Sequence, residues 1–142
     1  MTEALIISTA RTPIGKAYKG AFNNTHGATM AGHAIKNAID VAGLEASLVE
    51  DCLIGCGMPE GATGQNIARQ AAIRAGLPVT TAGATINRFC SSGLQSIAMA
   101  AQRIMTNELD FVVAGGLESI SLVQNDKQNN FKLKEQWINK NK

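Results

Sequence analysis

The sequence predicts an α/β fold built on a mostly parallel sheet with crossover helices. Three observations predict it. Four short runs of strand length stand at residues 4–8 (ALIIS), 52–57 (CLIGCG), 83–86 (GATI) and 110–116 (DFVVAGG), and runs with little alternation belong to strands buried on both faces of a parallel sheet. Segments of helical periodicity separate them, at residues 29–42, 66–75 and 91–105. The connections are short, so the order β-α-β-α-β-α-β closes through right-handed crossovers.

The 142 residues are 45% hydrophobic, enough for one domain or part of a larger one with a sizeable core. The formal net charge of +2 is unevenly placed. Lys127, Lys132, Lys134, Lys140 and Lys142 crowd the tail against Asp126 and Glu135, which leaves the body near neutral and gives no case for nucleic acid or an acidic membrane as partner. The opening residues lack the basic flank of a secretory signal, and no run approaches the roughly 20 apolar residues of a membrane span. Three cysteines, an odd count without a secretory signal, read as free thiols in a reducing compartment and point to the cytoplasm.

In chain order, residues 4–8 are expected as an interior strand. The loop Arg11-Thr12-Pro13-Ile14-Gly15-Lys16 reads as an ordinary turn with solvated cations in preference to a site-lining or subunit-contact loop. In the helix at residues 29–42, Ala31, Ala34, Ile35, Ala38 and Ile39 recur on one face, and Gly43 stands at the C′ position. His33 falls on that helix's flank and His26 in the preceding loop, neither with a Cys, His or acidic neighbour at ligand spacing, so no metal site is expected. Cys52 and Cys56 lie an even number of positions apart on the second strand and share a face; they read as small buried hydrophobes. Residues 58–65 are glycine-rich but carry no Walker or dinucleotide pattern, so phosphate binding is not expected. Asn66 is the expected N-cap of the next helix, with Gly76 and Pro78 ending it.

The third strand runs into a helix through residues 87–90, a sharp corner that carries Cys90. There the thiol meets unpaired backbone N–H groups and the positive end of a helix dipole, both of which favour the thiolate. It also lies at the carboxyl end of a strand, where sites in parallel sheets gather. Cys90 is the single candidate catalytic residue. In the helix behind it, Leu94, Ile97, Ala98, Ala101, Ile104 and Met105 form an apolar face that Gly93, Met99 and Ala100 extend, so the helix is expected between two layers, one of which this sequence does not encode. From residue 123 the chain turns polar and Asn/Lys-rich, with Trp137 and Ile138 among its few large apolar groups. The expected division is a β/α unit at 1–122 and a polar segment, a loop region or disordered, at 123–142.

Asn87-Arg88-Phe89-Cys90-Ser91-Ser92-Gly93-Leu94, together with Arg11-Thr12-Pro13-Ile14-Gly15, the segment from Gly64 to Gln70 and the segment from Val112 to Ser119, resembles the N-terminal part of a thiolase, an acetyl-CoA acyltransferase. The resemblance implies a thiolase-like fold in which this chain is one half of a five-layer αβαβα architecture. It implies that Cys90 accepts an acyl group from acyl-CoA, with its own N–H as one oxyanion-hole donor, and that CoA or an acetyl-CoA carbanion resolves the thioester. Coenzyme A thioesters enter as substrates, no cofactor is implied, and the whole enzyme is a homodimer or homotetramer with the strand at 83–86 facing the partner. The Gly-His-Pro and Cys-x-Gly-Gly-Gly motifs that supply a thiolase's base and second cysteine are absent from these 142 residues, so the chain alone is expected to be inactive. The alternatives are a non-catalytic thiolase-like folding or interaction module, and a cysteine hydrolase pairing Cys90 with His33. Ketoacyl synthases also place a cysteine at such a corner, but the segment at 65–70 fits thiolases better.

Overall fold

The computed structural model describes residues 3–124. The elements run α1 (Gly27–Ala42), β1 (Asp51–Gly55), α2 (Ile67–Ala75), β2 (Ala84–Ile86), α3 (Ser92–Met105), β3 (Val112–Gly116) and a short α4 (Ile120–Val123). The three strands form a parallel sheet in the order β2-β1-β3. Leu53 of β1 sits opposite Ala84 on one side and Ala114 on the other.

Central β1 is buried at every residue, and its alternation assigns the layers. Cys52 and Ile54 pack with Ala31, Ile35 and Ile39 of α1 and with Ala68, Ala71 and Ala72 of α2. Cys56, just past the strand on the same face, packs with Ala28 and Ile67 of the same two helices. The alternate positions meet α3. Asp51, 6% exposed, accepts from Arg103 across 2.5 Å, and Gly55 lies against the first residues of that helix. Filling such a core is worth about 1.5–3 kcal/mol for each fully buried Leu or Ile.

Local signals explain the helix ends. Asn66 caps α2 by accepting from the Arg69 N–H at 3.2 Å. Gly43 and Gly76 close α1 and α2 with φ of 63° and 88°, a backbone region open to glycine at no steric cost. α1 begins two residues earlier than its periodicity predicts, because the His26 ring Nδ1 accepts from the Ala28 N–H at 3.2 Å.

One expectation needs correction. Residues 4–8 form no strand, and Leu5, Ile6 and Ile7 are 61–76% exposed. The segment is tied to α1 by the Ser8 hydroxyl, which donates to the Ala38 carbonyl at 2.7 Å, and a groove of about 520 Å³ lies between it and β3. An apolar sequence cannot become a strand without a neighbour to hydrogen-bond, and among the described residues the outer edge of β3 is unpaired. α3 is uncovered on one side, as expected of a helix that lacks one of two layers: the small Ser92, Ser96 and Ala100 are buried against the sheet, while Leu94, Ile97 and Met105 are exposed at 71%, 40% and 48%. The close approach demanded by glycine backbone selects the small face, so the large apolar face turns outward. The expected boundary at residue 122 falls within α4, and residues 125–142 lie outside the described residues.

Candidate active site

The corner between β2 and α3 is built in two steps. A short 3-10 turn, Phe89–Ser91, precedes α3, so Cys90 sits just ahead of Ser91, the helix N-cap, and not inside the first α-turn. Phe89 has φ of 48°, a conformation uncommon for a bulky side chain and costly enough that the surroundings must impose it. The Asn87 side chain takes part by accepting the Phe89 N–H at 2.9 Å. Cys90 is free and exposed, and the Ser91 side chain makes no capping bond to close the end of the helix. The N–H of Cys90 itself donates to no group among the described residues, leaving it open to a ligand.

Glycines seat the corner on the sheet. A Cβ on Gly55 would lie 2.2–2.4 Å from the backbone of Ser92 and Gly93, and one on Gly116 would lie 3.2 Å from the Gly93 Cα. Only bare backbone lets the start of α3 rest directly on the carboxyl ends of β1 and β3. The Ser96 hydroxyl, fully buried, lies 2.7 Å from both the Gly93 and Gly115 carbonyls and adds a tie to β3.

A second clamp joins the loops beyond these strand ends. The Glu118 carboxylate accepts from the N–H groups of Gly57 at 2.8 Å and Met58 at 3.1 Å, and from the Cys56 thiol at 3.4 Å. Gly57 in turn abuts the Phe89 carbonyl. Burial first, then the Glu118 charge and hydrogen bond, push the Cys56 thiol up to about 11. Burial and then Asp51 push Cys52 up to about 12. Neither behaves as a nucleophile near neutral pH.

Cys90 opens into a cavity of about 530 Å³ lined by the loop at residues 10–17, one side of α1 near Met30 and Ala34, and the segment at 116–121. The loop carrying Arg11 and Lys16 therefore lines the site, where its spacing read as an ordinary turn. His26 and His33 are absent from this lining; His26 caps α1 and His33 is exposed on its flank, so the fold does not bring the Cys90–His33 pair together. Among the described residues, no group of three or more His, Cys, Asp or Glu is placed to hold a metal ion.

Residues 4–141 match the family model described as the thiolase N-terminal domain. The chain belongs to the thiolase family. It is 46% identical over 123 residues to a 3-ketoacyl-CoA thiolase of Bacillus subtilis (strain 168), covering 87% of this chain and 32% of that protein. It is 42% identical over 122 residues to an acetyl-CoA acetyltransferase of Paracoccus denitrificans, covering 86% and 31%. A peroxisomal 3-ketoacyl-CoA thiolase B of Candida tropicalis is 40% identical over 119 residues, covering 84% and 29%. The chain thus spans about a third of the length of these thiolases. Glu118 is the site-region residue that periodicity missed. Its one signal is its place in the segment from Val112 to Ser119, part of the thiolase resemblance.

Proposed function

We propose that the protein is an acyl-CoA:acetyl-CoA C-acyltransferase in which Cys90 carries the acyl group, serving fatty acid or acetoacetyl-CoA metabolism. The observation that supports it best is an exposed cysteine at a strained strand-to-helix corner, opening into a cavity, in a chain of the thiolase family. The Cys90 sulfur attacks the acyl carbonyl. The new C–S bond replaces the bond to the departing CoA sulfur, or to the acetyl-CoA carbon when a 3-ketoacyl-CoA is cleaved, and the proton given up by the thiol balances the one that the departing CoA or acetyl-CoA takes up. CoA, or an acetyl-CoA carbanion, then takes the acyl group in a second step. As the new tetrahedral centre gathers negative charge, the free Cys90 N–H is a donor for it. CoA thioesters are the substrates and no cofactor takes part. Assembly as a homodimer or homotetramer in the cytoplasm completes the reading, with the outer edge of β2 turned to a partner.

A second reading, a thiolase-like module that folds or associates without turning over substrate, is favoured by one observation. No histidine lines the Cys90 cavity among the described residues, and neither Gly-His-Pro nor Cys-x-Gly-Gly-Gly occurs in the sequence. Grafting residues 4–124 in place of the matching segment of the Bacillus subtilis relative separates the two. The catalytic reading expects the graft to cleave acetoacetyl-CoA with CoA, and Cys90→Ser to lower the rate on the order of a thousandfold or more while the protein stays folded. A folded graft without activity supports the module, and a serine variant that retains activity removes Cys90 from the mechanism.

A further inference from the structure

We propose that Ser92 is the positioning residue for Cys90, resting on the reading of Cys90 as the nucleophile. Ser92 is 3% exposed, and its hydroxyl works in both directions at once. It accepts from the Arg88 N–H at 2.8 Å and donates to the Phe89 carbonyl at 2.6 Å. These two backbone groups bracket the stretch Arg88-Phe89, which holds the position with φ of 48°. One hydroxyl therefore fastens both sides of the strained residue that precedes Cys90.

The direction of these bonds separates this role from ordinary helix capping. An N-cap side chain reaches forward to the N–H groups of its own helix, and Ser91, which holds that position, makes no such bond. Ser92 is the first residue of α3 and reaches backward into the turn instead. Its own main chain is held from below by the approach of Gly55, so the hydroxyl is anchored to the sheet while it grips the turn. Cys90 follows directly, between the gripped Phe89 carbonyl and Ser92 itself. Asn87 supports the same turn through the Phe89 N–H, but only Ser92 binds on both sides of residue 89. In Ser92→Ala the Phe89 carbonyl keeps the Ser92-position N–H as donor, whereas the Arg88 N–H loses its side-chain acceptor. The turn then relaxes, and the thiol loses its fixed place at the cavity.

Timed iodoacetamide labelling of the 142-residue chain at pH 8, mapped by peptide mass, tests this with Cys52 and Cys56 as internal gauges, since both are 0% exposed. In the wild-type chain Cys90 labels faster than either; equal or slower labelling overturns the nucleophile reading and the proposal with it. In Ser92→Ala the Cys90 rate falls about fivefold to tenfold, the rate equivalent of one lost hydrogen bond, while Cys52 and Cys56 stay unlabelled. Ser92→Thr, which keeps the hydroxyl, restores the rate to within about twofold of wild type. Preferential wild-type labelling of Cys90 that is unchanged in Ser92→Ala overturns the positioning role alone. So does a loss accompanied by labelling of Cys52 and Cys56, which marks general loosening, or a loss that threonine does not repair.

Discussion

Three thiols in one chain differ only in what surrounds them. Cys90 is exposed at the head of α3, whereas Cys52 and Cys56 are sealed under α1 and α2 beside the carboxylates of Asp51 and Glu118. Both buried thiols titrate above the ordinary value of 9.0, at about 12 and about 11. The fold therefore prefers their protonated forms. That preference contributes fully below pH 9, where the unfolded thiols also keep their protons, and is lost as pH rises through 11 to 12. The urea midpoint is expected to show no thiol-linked change between pH 7 and 8.5 and to decline above pH 9. Cys52→Ala should flatten the decline, and identical profiles for the two proteins would contradict the assignment.

At the scale of elements, the decisive contact is backbone on backbone. α3 rests on β1 through Gly55, where any Cβ would fall within 2.2–2.4 Å of Ser92 and Gly93 main-chain atoms. Main chain cannot rotate away as a side chain can, so Gly55→Ala is expected to cost about 3 kcal/mol, the upper part of the usual range for overpacking. Chemical denaturation measures it; a loss below about 1 kcal/mol would mean that α3 slides on the sheet at little cost. Such contacts also explain what could be read without coordinates. β1, β2, β3 and the three main helices were legible because apolar run length, 3.6-residue periodicity and caps such as Asn66 act locally. The corner at Cys90 was legible because a change of period must bend the chain. The need for a cover over Leu94 was legible from a helix apolar nearly all round, but the sheet-facing role of Ser92, Ser96 and Ala100 was not, since hydrophobicity ranks faces while the Gly55–Gly93 approach selects the small one. Residues 4–8 failed as a strand for the complementary reason: their sequence is suitable, but pairing depends on a neighbour elsewhere in the chain. The loop at Arg11 joins the site only through tertiary placement.

For the whole molecule, the exposed apolar surface carries the consequence. Leu94, Ile97 and Met105 on α3, with Leu5, Ile6 and Ile7 beside the open edge of β3, are more than a stray residue or two on a monomer's surface. The 142-residue chain is expected to associate at micromolar concentration, and Leu94→Gln with Ile97→Gln to shift its sedimentation toward the monomer. A wild-type chain that stays monomeric would show that this face needs no cover. Having a nucleophile is separate from turning over substrate, since the Cys90 cavity contains no histidine among the described residues. The graft of residues 4–124 into the Bacillus subtilis relative places them in a full-length thiolase, and acid quenching during acetoacetyl-CoA cleavage traps whatever carries the acetyl group. Peptide mass mapping should find that acetyl group on Cys90, at a level that falls when CoA is added in excess. Acetyl on any other residue, or none on Cys90 while cleavage proceeds, would contradict Cys90 as the acyl carrier.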